Sequence, residues 1–385
     1  MADTPRKRRW PLFLAITLAL LAAAGLWLNH QLEPNRLARR VLDTVGPSQG
    51  LEISFRGTPS YGLWPEPRLV LPEVSARQPG ADTALLTAER AEISLPWDTV
   101  RGDGPLVITY IELDGPALDL AAFRDWRANR PETTDTTIPT LSRGVRVTGG
   151  SVLGDGWQLQ DMDLVLGPVA PDETASLEFT GLLATGSLRA SATGTLDVEK
   201  LAESTGFELV ADGEIEQDDR LMAYRLQAPC DFDRQPPETT VHCSDVEFTG
   251  DSPLPTLRAD RVSMTLGGPA GARLGLEGWM REWPEDWPVL PEPASTDVRP
   301  TRFDIGYEGA ADFSDPVTVK IERGETRLDA TAVIAEVQAW LADEERTPLP
   351  PLLGRFSAPS LVVEGFTLEN VQAEIVEPAP ASAEE

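Results

Sequence analysis

Apolar and polar residues alternate with a period of two along most of the chain, which is the pattern of half-buried β-strands. The alternation is clear in LLTAERAEISL (85–95), PLVITYIELDG (105–115) and LRASATGTLDV (188–198). The 31 glycines and 34 prolines are dispersed between such runs, where they mark turns. The pattern therefore predicts a mainly β fold of many short, largely antiparallel strands with a few short helices.

One segment near the N-terminus is apolar throughout instead of alternating. Trp10 to Leu28 contains nineteen residues without a charge, and as a helix it would span about 28 Å, close to the thickness of a hydrocarbon core. The basic cluster at 6–9 precedes it and by the positive-inside rule stays in the cytoplasm. These features predict a single-pass transmembrane anchor. A cleaved signal peptide is the alternative, since AAAG (22–25) has the small residues of a cleavage site.

Three shorter segments show the 3.6-residue period of helices. They are EPNRLARRVLDTVG (33–46), AAFRDWRANRP (121–131) and TAVIAEVQAWLADEE (331–345). The C-terminal segment EPAPASAEE has no period and is predicted to be a disordered tail. The chain thus divides into a basic tail and anchor at 1–30, a β-rich body at 31–376 and a tail at 377–385.

Two strand patterns recur in the same order in the two halves of the body. LLTAERAEISL (85–95) is similar to TLRADRVSMTL (256–266), and WQLQDMDLVL (157–166) is similar to FTLENVQAEI (366–375). The shared order predicts two divergent copies of one β-unit, about 50–190 and 207–376. Chance similarity between the strands of a β-meander is the alternative.

Within the first of these patterns the alternation changes phase. The change falls at Glu89-Arg90 in one copy and at Asp260-Arg261 in the other. An extra residue in a strand forms a β-bulge, and bulges bend and twist a sheet. We therefore expect an elongated sheet that curls into a groove instead of lying flat.

The charge of the chain is distributed unevenly. Residues 1–28 hold four basic and one acidic residue, which leaves 29 basic and 61 acidic residues in the remainder and a net charge of −32 there. Such a body is repelled by nucleic acid and by anionic lipid headgroups. We therefore expect no nucleic-acid partner, and we expect contact with the membrane to be made through the anchor.

The two cysteines, Cys230 and Cys243, flank a predicted turn between apolar segments. Beyond a membrane anchor, in an oxidising compartment, two such cysteines are expected to form a disulfide that closes a hairpin. A metal site is not expected, because the whole chain has only two histidines.

The sequence contains no recognisable catalytic constellation. With two histidines, of which His30 adjoins the anchor, activation of a serine or cysteine nucleophile is hard to assemble. No glycine-rich phosphate loop precedes a helix and a lysine. These observations predict a protein that is not an enzyme and that uses no cofactor.

Several of these segments together resemble the AsmA family of envelope proteins. They are the anchor with the small helix that follows it, LEISFRGTPSYGLWPEPRLVLPEVSARQPG (51–80), LLTAERAEISL (85–95), LVITYIELDGPALDL (106–120) and GFTLENVQAEI (365–375). The resemblance covers residues 10–120 best. These motifs are structural, so they indicate an architecture more than an activity.

The resemblance implies a bacterial inner-membrane protein with a periplasmic, groove-like β body. It also implies a role in outer-membrane biogenesis, with a groove that carries phospholipid acyl chains between the inner and outer membranes. Candidate groove residues are those that the alternation and the phase changes place on one face, namely Ile93, Leu95, Val107, Ile111, Leu113, Met264 and Leu266.

Two other interpretations of the same patterns stay open. A closed β-sandwich also buries alternating faces, so its core would show the same apolar positions. A periplasmic scaffold or secretion-system component could have the same topology without transporting lipid, and it would instead bind a protein partner.

The topology generates a first prediction. Because the basic cluster precedes the apolar span, residues 1–9 are expected in the cytoplasm and the body outside it. Protease added to intact spheroplasts should therefore digest the body. Digestion only after lysis would contradict this orientation.

Overall fold

The computed structural model describes residues 50–98, 107–129, 140–186, 188–217, 220–267, 271–285, 287, 294–310, 313–342, 351–363 and 366–376. The predicted anchor, the predicted helix at 33–46 and the predicted tail at 377–385 lie outside these residues. Within the described part of the chain, no helix is both long enough and apolar enough to span a bilayer.

The described residues form 22 strands and two α-helices, which confirms the prediction of a mainly β fold. Contacts divide the chain into two compact units, with the boundary between Leu159 and Gln160. Helices α1 (Leu120–Asn129) and α2 (Ile334–Ala342) confirm the helices predicted around 121–131 and 331–345.

The first unit contains strands β1 to β9 and α1. The strands are β1 (Glu52–Phe55), β2 (Ser60–Gly62), β3 (Arg68–Arg77), β4 (Leu86–Ser94), β5 (Val107–Ile108), β6 (Tyr110–Asp114), β7 (Ala117–Asp119), β8 (Thr140–Leu141) and β9 (Val145–Leu153). β3 pairs antiparallel with β1, β2 and β4, and β4 pairs antiparallel with β6 and β7. β9 runs parallel to β6 and β7, and β5 and β8 form a separate parallel pair. This unit is therefore of mixed strand direction.

The second unit is a run of strands with α2 between two of them, and its first strand begins two residues before the boundary. The strands are β10 (Gln158–Leu166), β11 (Ala175–Thr185), β12 (Leu188–Val198), β13 (Ser204–Gln217), β14 (Arg220–Gln235), β15 (Glu238–Gly250), β16 (Leu257–Leu266), β17 (Ala272–Met280), β18 (Thr301–Gly309), β19 (Val317–Arg323), β20 (Thr326–Ala332), β21 (Leu353–Val363) and β22 (Phe366–Ile375). From β11 onwards each strand pairs antiparallel with the next. Among its described residues, the unit from β11 onwards is thus an antiparallel meander in which neighbours in the sheet are also neighbours in sequence.

The phase change predicted at Asp260-Arg261 coincides with an irregularity of the backbone. In β16 the register with β17 shifts between Ala259 and Arg261, so Asp260 is an extra residue. The neighbouring β15 has a matching extra residue, Asp245, with a φ of 54°. Because both strands are bulged at the same level, their own pairing stays in register. The predicted bulge at Asp260-Arg261 is therefore confirmed, and it is one of a pair.

In the first unit a left-handed residue also lies at the level of the phase change, but the strands pair without a shift. Glu73 of β3 has a φ of 44° and stands opposite Glu89, between the pairs Pro72–Arg90 and Val74–Ala88. The pairing of β4 with β3 and with β6 runs without a shift, so the bulge predicted at Glu89-Arg90 is wrong; the irregular residue is on the neighbouring strand. The two-copy division of the chain remains a prediction, and the structure adds this local correspondence to it.

The predicted disulfide between Cys230 and Cys243 is present. The two cysteines stand directly opposite each other on β14 and β15. Both are buried and belong to one apolar cluster with Ala228, Val246 and Ala259. The bridge therefore closes the hairpin next to the bulge at Asp245, where the register of the two strands shifts.

Aromatic rings cover glycines on neighbouring strands of the second unit. Three direct cross-strand pairs have this form, namely Phe179 with Gly194, Tyr224 with Gly213 and Phe303 with Gly278. A Cβ atom at any of these glycines would lie 2.8–2.9 Å from a ring atom, which is closer than van der Waals contact. The absence of a side chain therefore lets each ring lie against the sheet, as in the aromatic rescue of strand glycines.

Gly278 and Gly275 of β17 form a matched pair for a stability test. A Cβ at Gly278 would lie 2.7 Å from Ala259 Cα and 2.8 Å from Phe303 Cζ, whereas at Gly275 it would meet only the rotatable Ser263 hydroxyl. Gly278→Ala should lower the free energy of unfolding by about 2–3 kcal/mol, and Gly275→Ala should change it by less than about 1 kcal/mol. Urea unfolding followed by tryptophan fluorescence measures both. Equal effects of the two variants would contradict the packing described here.

The disulfide gives a second stability test. Its cysteines are separated by 13 residues, and closing a loop of that size stabilises a fold by about 3 kcal/mol. Reduction of the native protein should lower the midpoint of chemical unfolding accordingly. The double variant Cys230→Ala, Cys243→Ala is the control, since its midpoint should be unaffected by reductant. An unchanged midpoint on reduction of the native protein would show that the bridge does not contribute.

Candidate functional site

The second unit carries a continuous apolar row across nine strands, β12 to β20. Residues that pair directly across a sheet project from the same face. The row follows the pairing from strand to strand through Val198, Phe207, Cys230, Cys243, Val262, Leu276, Ile305, Val319 and Ala330. No member of this row carries a charge.

A second row runs beside the first on the same face. It comprises Phe232, Val241, Met264, Leu274, Tyr307, Val317 and Ala332, on β14 to β20. We call the two rows together the apolar face. The two bulges keep the apolar residues on one face. Ala259 and Val262 of β16 are three positions apart and would project from opposite faces of a regular strand, yet both belong to the buried cluster around the disulfide.

Side chains of the apolar face pack against neighbours on adjacent strands of the same sheet. The buried cluster around Ala259 draws all its members from β13 to β17, which are consecutive strands of the one sheet. Within the apolar face only Tyr307 and the two cysteines are buried, and the other members are half-buried. In a two-layer sandwich, by contrast, large inward-facing side chains are enclosed from both sides. The half-buried Val262, Leu276 and Ile305 therefore retain an accessible apolar surface.

The opposite face of the same strands is charged and exposed. A single row from β16 to β22 reads Arg261, Glu277, Asp304, Lys320, Asp329, Arg355 and Glu374. Ion pairs join neighbouring members of this row, at 3.2 Å between Arg261 and Glu277 and at 3.0 Å between Lys320 and Asp304. The hydrogen bond to Asp304 raises the pKa of Lys320 above its usual value. These exposed pairs contribute little stability each, but they mark this face as the solvated one.

Tyr224 places a phenol hydroxyl on the apolar side of the sheet. The Tyr224 hydroxyl donates a hydrogen bond of 2.9 Å to the carbonyl oxygen of Ser191, and its ring stacks on Phe248. Burial, and secondarily the charge of Asp212, raise the pKa of Tyr224 above its ordinary value. The phenol therefore stays protonated and hydrogen-bonded, and it adds no charge to this side of the sheet.

In the first unit, three of the sequence-predicted groove residues meet on one face. Ile93 stands directly opposite Ile111, and Leu113 stands opposite Ala91. On its other side β4 places Ile93 opposite Leu69. All three predicted residues are half-buried, so this face is apolar and only partly covered.

The reverse face of the first unit holds a compact charge cluster. Arg90 donates a hydrogen bond of 2.9 Å to Asp114 and also contacts Glu92, which is 8 % exposed. The hydrogen bond to Asp114 raises the pKa of Arg90 above its usual value. Arg68 lies 3.9 Å from the other oxygen of Glu92. The buried carboxylate is thus matched by two guanidinium groups, as a buried charge requires.

The remaining predicted groove residues are distributed over other elements. Leu95 follows β4, and its N–H donates to the Pro67 carbonyl oxygen at 2.9 Å. Val107 lies in β5, opposite Thr140, in the separate parallel pair and not in the strand of Ile111. Met264 and Leu266 are on β16 in the second unit, and Leu266 is 38 % exposed.

Sequence reasoning did not identify most of the apolar face. Val262, Leu276, Ile305 and Val319 stand in one row, but only Met264 of the apolar face was among the predicted groove residues. Each of these strands shows alternation that signals one apolar side. Alternation within one strand does not show which residues of neighbouring strands stand opposite each other. The hydrogen-bond register between the strands determines this.

The described residues include no group of three or more histidine, cysteine or acidic side chains placed to hold a metal ion. Comparison of the sequence and structure with protein-family models, with curated proteins and with solved structures finds no match. The resemblance to the AsmA family therefore remains a hypothesis that rests on the segments quoted above.

Proposed function

We propose that this chain is a non-enzymatic envelope protein whose apolar face binds phospholipid acyl chains, in transport between the membranes or in assembly of the outer membrane. The observation that supports the proposal is the uncharged, half-exposed face of the meander, placed back to back with a charged face. A soluble domain normally covers such a surface with a second layer. Acyl chains are an alternative cover.

The dimensions of the face suit this ligand. Nine strands about 4.8 Å apart extend the row from Val198 to Ala330 over about 38 Å along the sheet. One leaflet of a bilayer is about 15 Å of hydrocarbon, so the row can accommodate an extended chain. Each methylene group that it removes from water contributes about 0.8 kcal/mol.

The charges suggest how the lipid would be oriented. Neither row of the apolar face carries a cation, and the charged row lies on the reverse side of the strands. Recognition would therefore rest on the acyl chains, with the headgroup left at the rim or in solvent. We accordingly expect little discrimination between zwitterionic headgroups.

The cellular setting is part of the same proposal. The apolar span at 10–28 and the basic cluster before it support an inner-membrane anchor with a periplasmic body. The disulfide supports an oxidising compartment. An elongated, curled groove, as expected from the sequence, would let the body carry lipid away from the membrane surface.

A scaffold or secretion-system component that transports no lipid is the second candidate. One observation favours it, namely that aromatic rings already cover glycines of the sheet, as Phe303 covers Gly278. Part of the apolar surface is thereby covered from within the fold. A stable protein partner and the absence of lipid would then be expected.

Photo-crosslinking separates the two candidates. The full-length protein, with a photoreactive amino acid at Met264, should capture phospholipid in cells. The matched control places the same group at the adjacent Ser263, which pairs with His242 and Gly275 on the opposite face. Capture of lipid at 264 and not at 263 is expected. Capture of protein alone at 264 would contradict lipid binding and would favour the scaffold.

A charge substitution tests the same face without a crosslinker. Met264→Asp places an unpaired carboxylate on the apolar face, which is costly where acyl chains would exclude water. Lipid that co-purifies with the protein should fall at least tenfold, whereas Ser263→Asp should leave it unchanged. Circular dichroism should show both variants folded. Unfolding of Met264→Asp alone would indicate a closed core in place of an open face.

A further inference from the structure

Strand β22 forms an open edge of the sheet. It pairs antiparallel with β21, and no ladder or extensive contact joins it to another strand among the described residues. Eight of its ten residues are exposed, including Phe366 at 74 % and Leu368 at 50 %. An edge strand presents unpaired backbone N–H and C=O groups, for which the complementary partner is another strand. Long edges with exposed apolar residues are therefore sites of strand addition.

A strand of similar sequence elsewhere in the chain shows what such an edge accepts. WQLQDMDLVL, which contains β10, is similar to FTLENVQAEI of β22. The aligned residues Asp161 and Asn370 both adopt the left-handed conformation, with φ of 48° and 54°. β10 is followed by β11 as its neighbour in the sheet, and Gly167 at its end donates to the Ser176 carbonyl oxygen at 2.9 Å. Only two of nine β10 residues are exposed. The corresponding edge of β22 has no such strand in the described residues.

The charged face indicates which side chains a strand added beside β22 should have. The charged row ends in Asp329, Arg355 and Glu374, in which the sign alternates from strand to strand. Arg355 lies 3.6 Å from Glu374. A strand added beyond β22 would continue this alternation with a basic residue beside Glu374. On the other face it would continue the apolar positions of Val371 and Ile375.

We propose that β22 binds an extended basic strand of another protein, in which apolar and cationic residues alternate, by antiparallel addition to the sheet. A second copy of this chain fits less well, because β22 itself contains two glutamates and no lysine or arginine. Pairing of two such edges would place no cation of the added strand beside Glu374, whose present ion pair is with Arg355 on β21. The proposal does not depend on lipid binding by the apolar face.

The experiment uses the full-length protein in detergent and a fluorescent peptide that alternates valine with lysine. The peptide should bind, and hydrogen exchange should slow in residues 366–376 and not in other strands. Three comparison peptides should bind at least tenfold more weakly: one of the same composition in blocks, one with a central proline, and one that alternates valine with glutamate. Weak binding of the valine–glutamate peptide would show that the positive charge of the lysines is required.

A charge swap at the edge makes the test specific. Glu374→Lys should weaken binding of the valine–lysine peptide about tenfold and strengthen binding of the valine–glutamate peptide, because like charges on neighbouring strands repel. The control is Glu178→Lys, which makes the same change at an exposed position of the interior strand β11, and it should alter neither affinity.

Four results would overturn the proposal. They are no binding of the valine–lysine peptide, equal binding of the block peptide, protection outside β22, and a concentration-dependent dimer in which β22 is protected without any peptide. The last would identify a second copy as the partner. The outcome of the peptide experiment is independent of the lipid crosslink at Met264, because the two experiments probe different strands, β22 and β16.

Discussion

The alternation of side chains between the two faces of one sheet is the constraint on which the rest of the second unit depends. Its buried cluster is built from neighbours on β13 to β17, so cohesion comes from contacts along the sheet. Such packing works only if apolar residues of successive strands are level with each other. Small residues and rings then complement each other, as Gly278 and Phe303 do.

Bulges allow that arrangement to continue along long strands. A shift of one residue moves every later side chain to the other face. The extra residues Asp245 and Asp260 occur on neighbouring strands at the same level, so β15 and β16 change phase together. Cys243 and Val246, and likewise Ala259 and Val262, consequently share one cluster. The disulfide lies beside this point and ties β14 to the bulged strand.

The two faces also connect the proposed lipid binding with the proposed strand addition. A strand added at β22 would extend the apolar and the charged face together, because the same pleat generates both. Glu374 and Ile375 are adjacent in sequence but belong to different faces. The edge and the face can therefore be tested by separate substitutions, although both proposals derive from one sheet geometry.

Local signals in the sequence predicted the β class, α1 and α2, the disulfide and the bulge at Asp260. Alternation, helical period and cysteine spacing are patterns within short segments, so these features can be recognised without knowledge of the tertiary structure. The parallel placement of β9 had no such signal, because it depends on pairing with β6 across intervening elements.

What the sequence by itself determined, then, is that each strand has one apolar side. Only the tertiary structure decided which apolar sides form a common surface. Val107 and Ile111 have the same parity in one segment, yet β5 pairs with β8 while β6 pairs with β4 and β9. Conversely, Val262 and Val319 are far apart in the chain and share a row. The physical reason is that hydrogen-bond register between strands, and not position in the sequence, sets which side chains are neighbours.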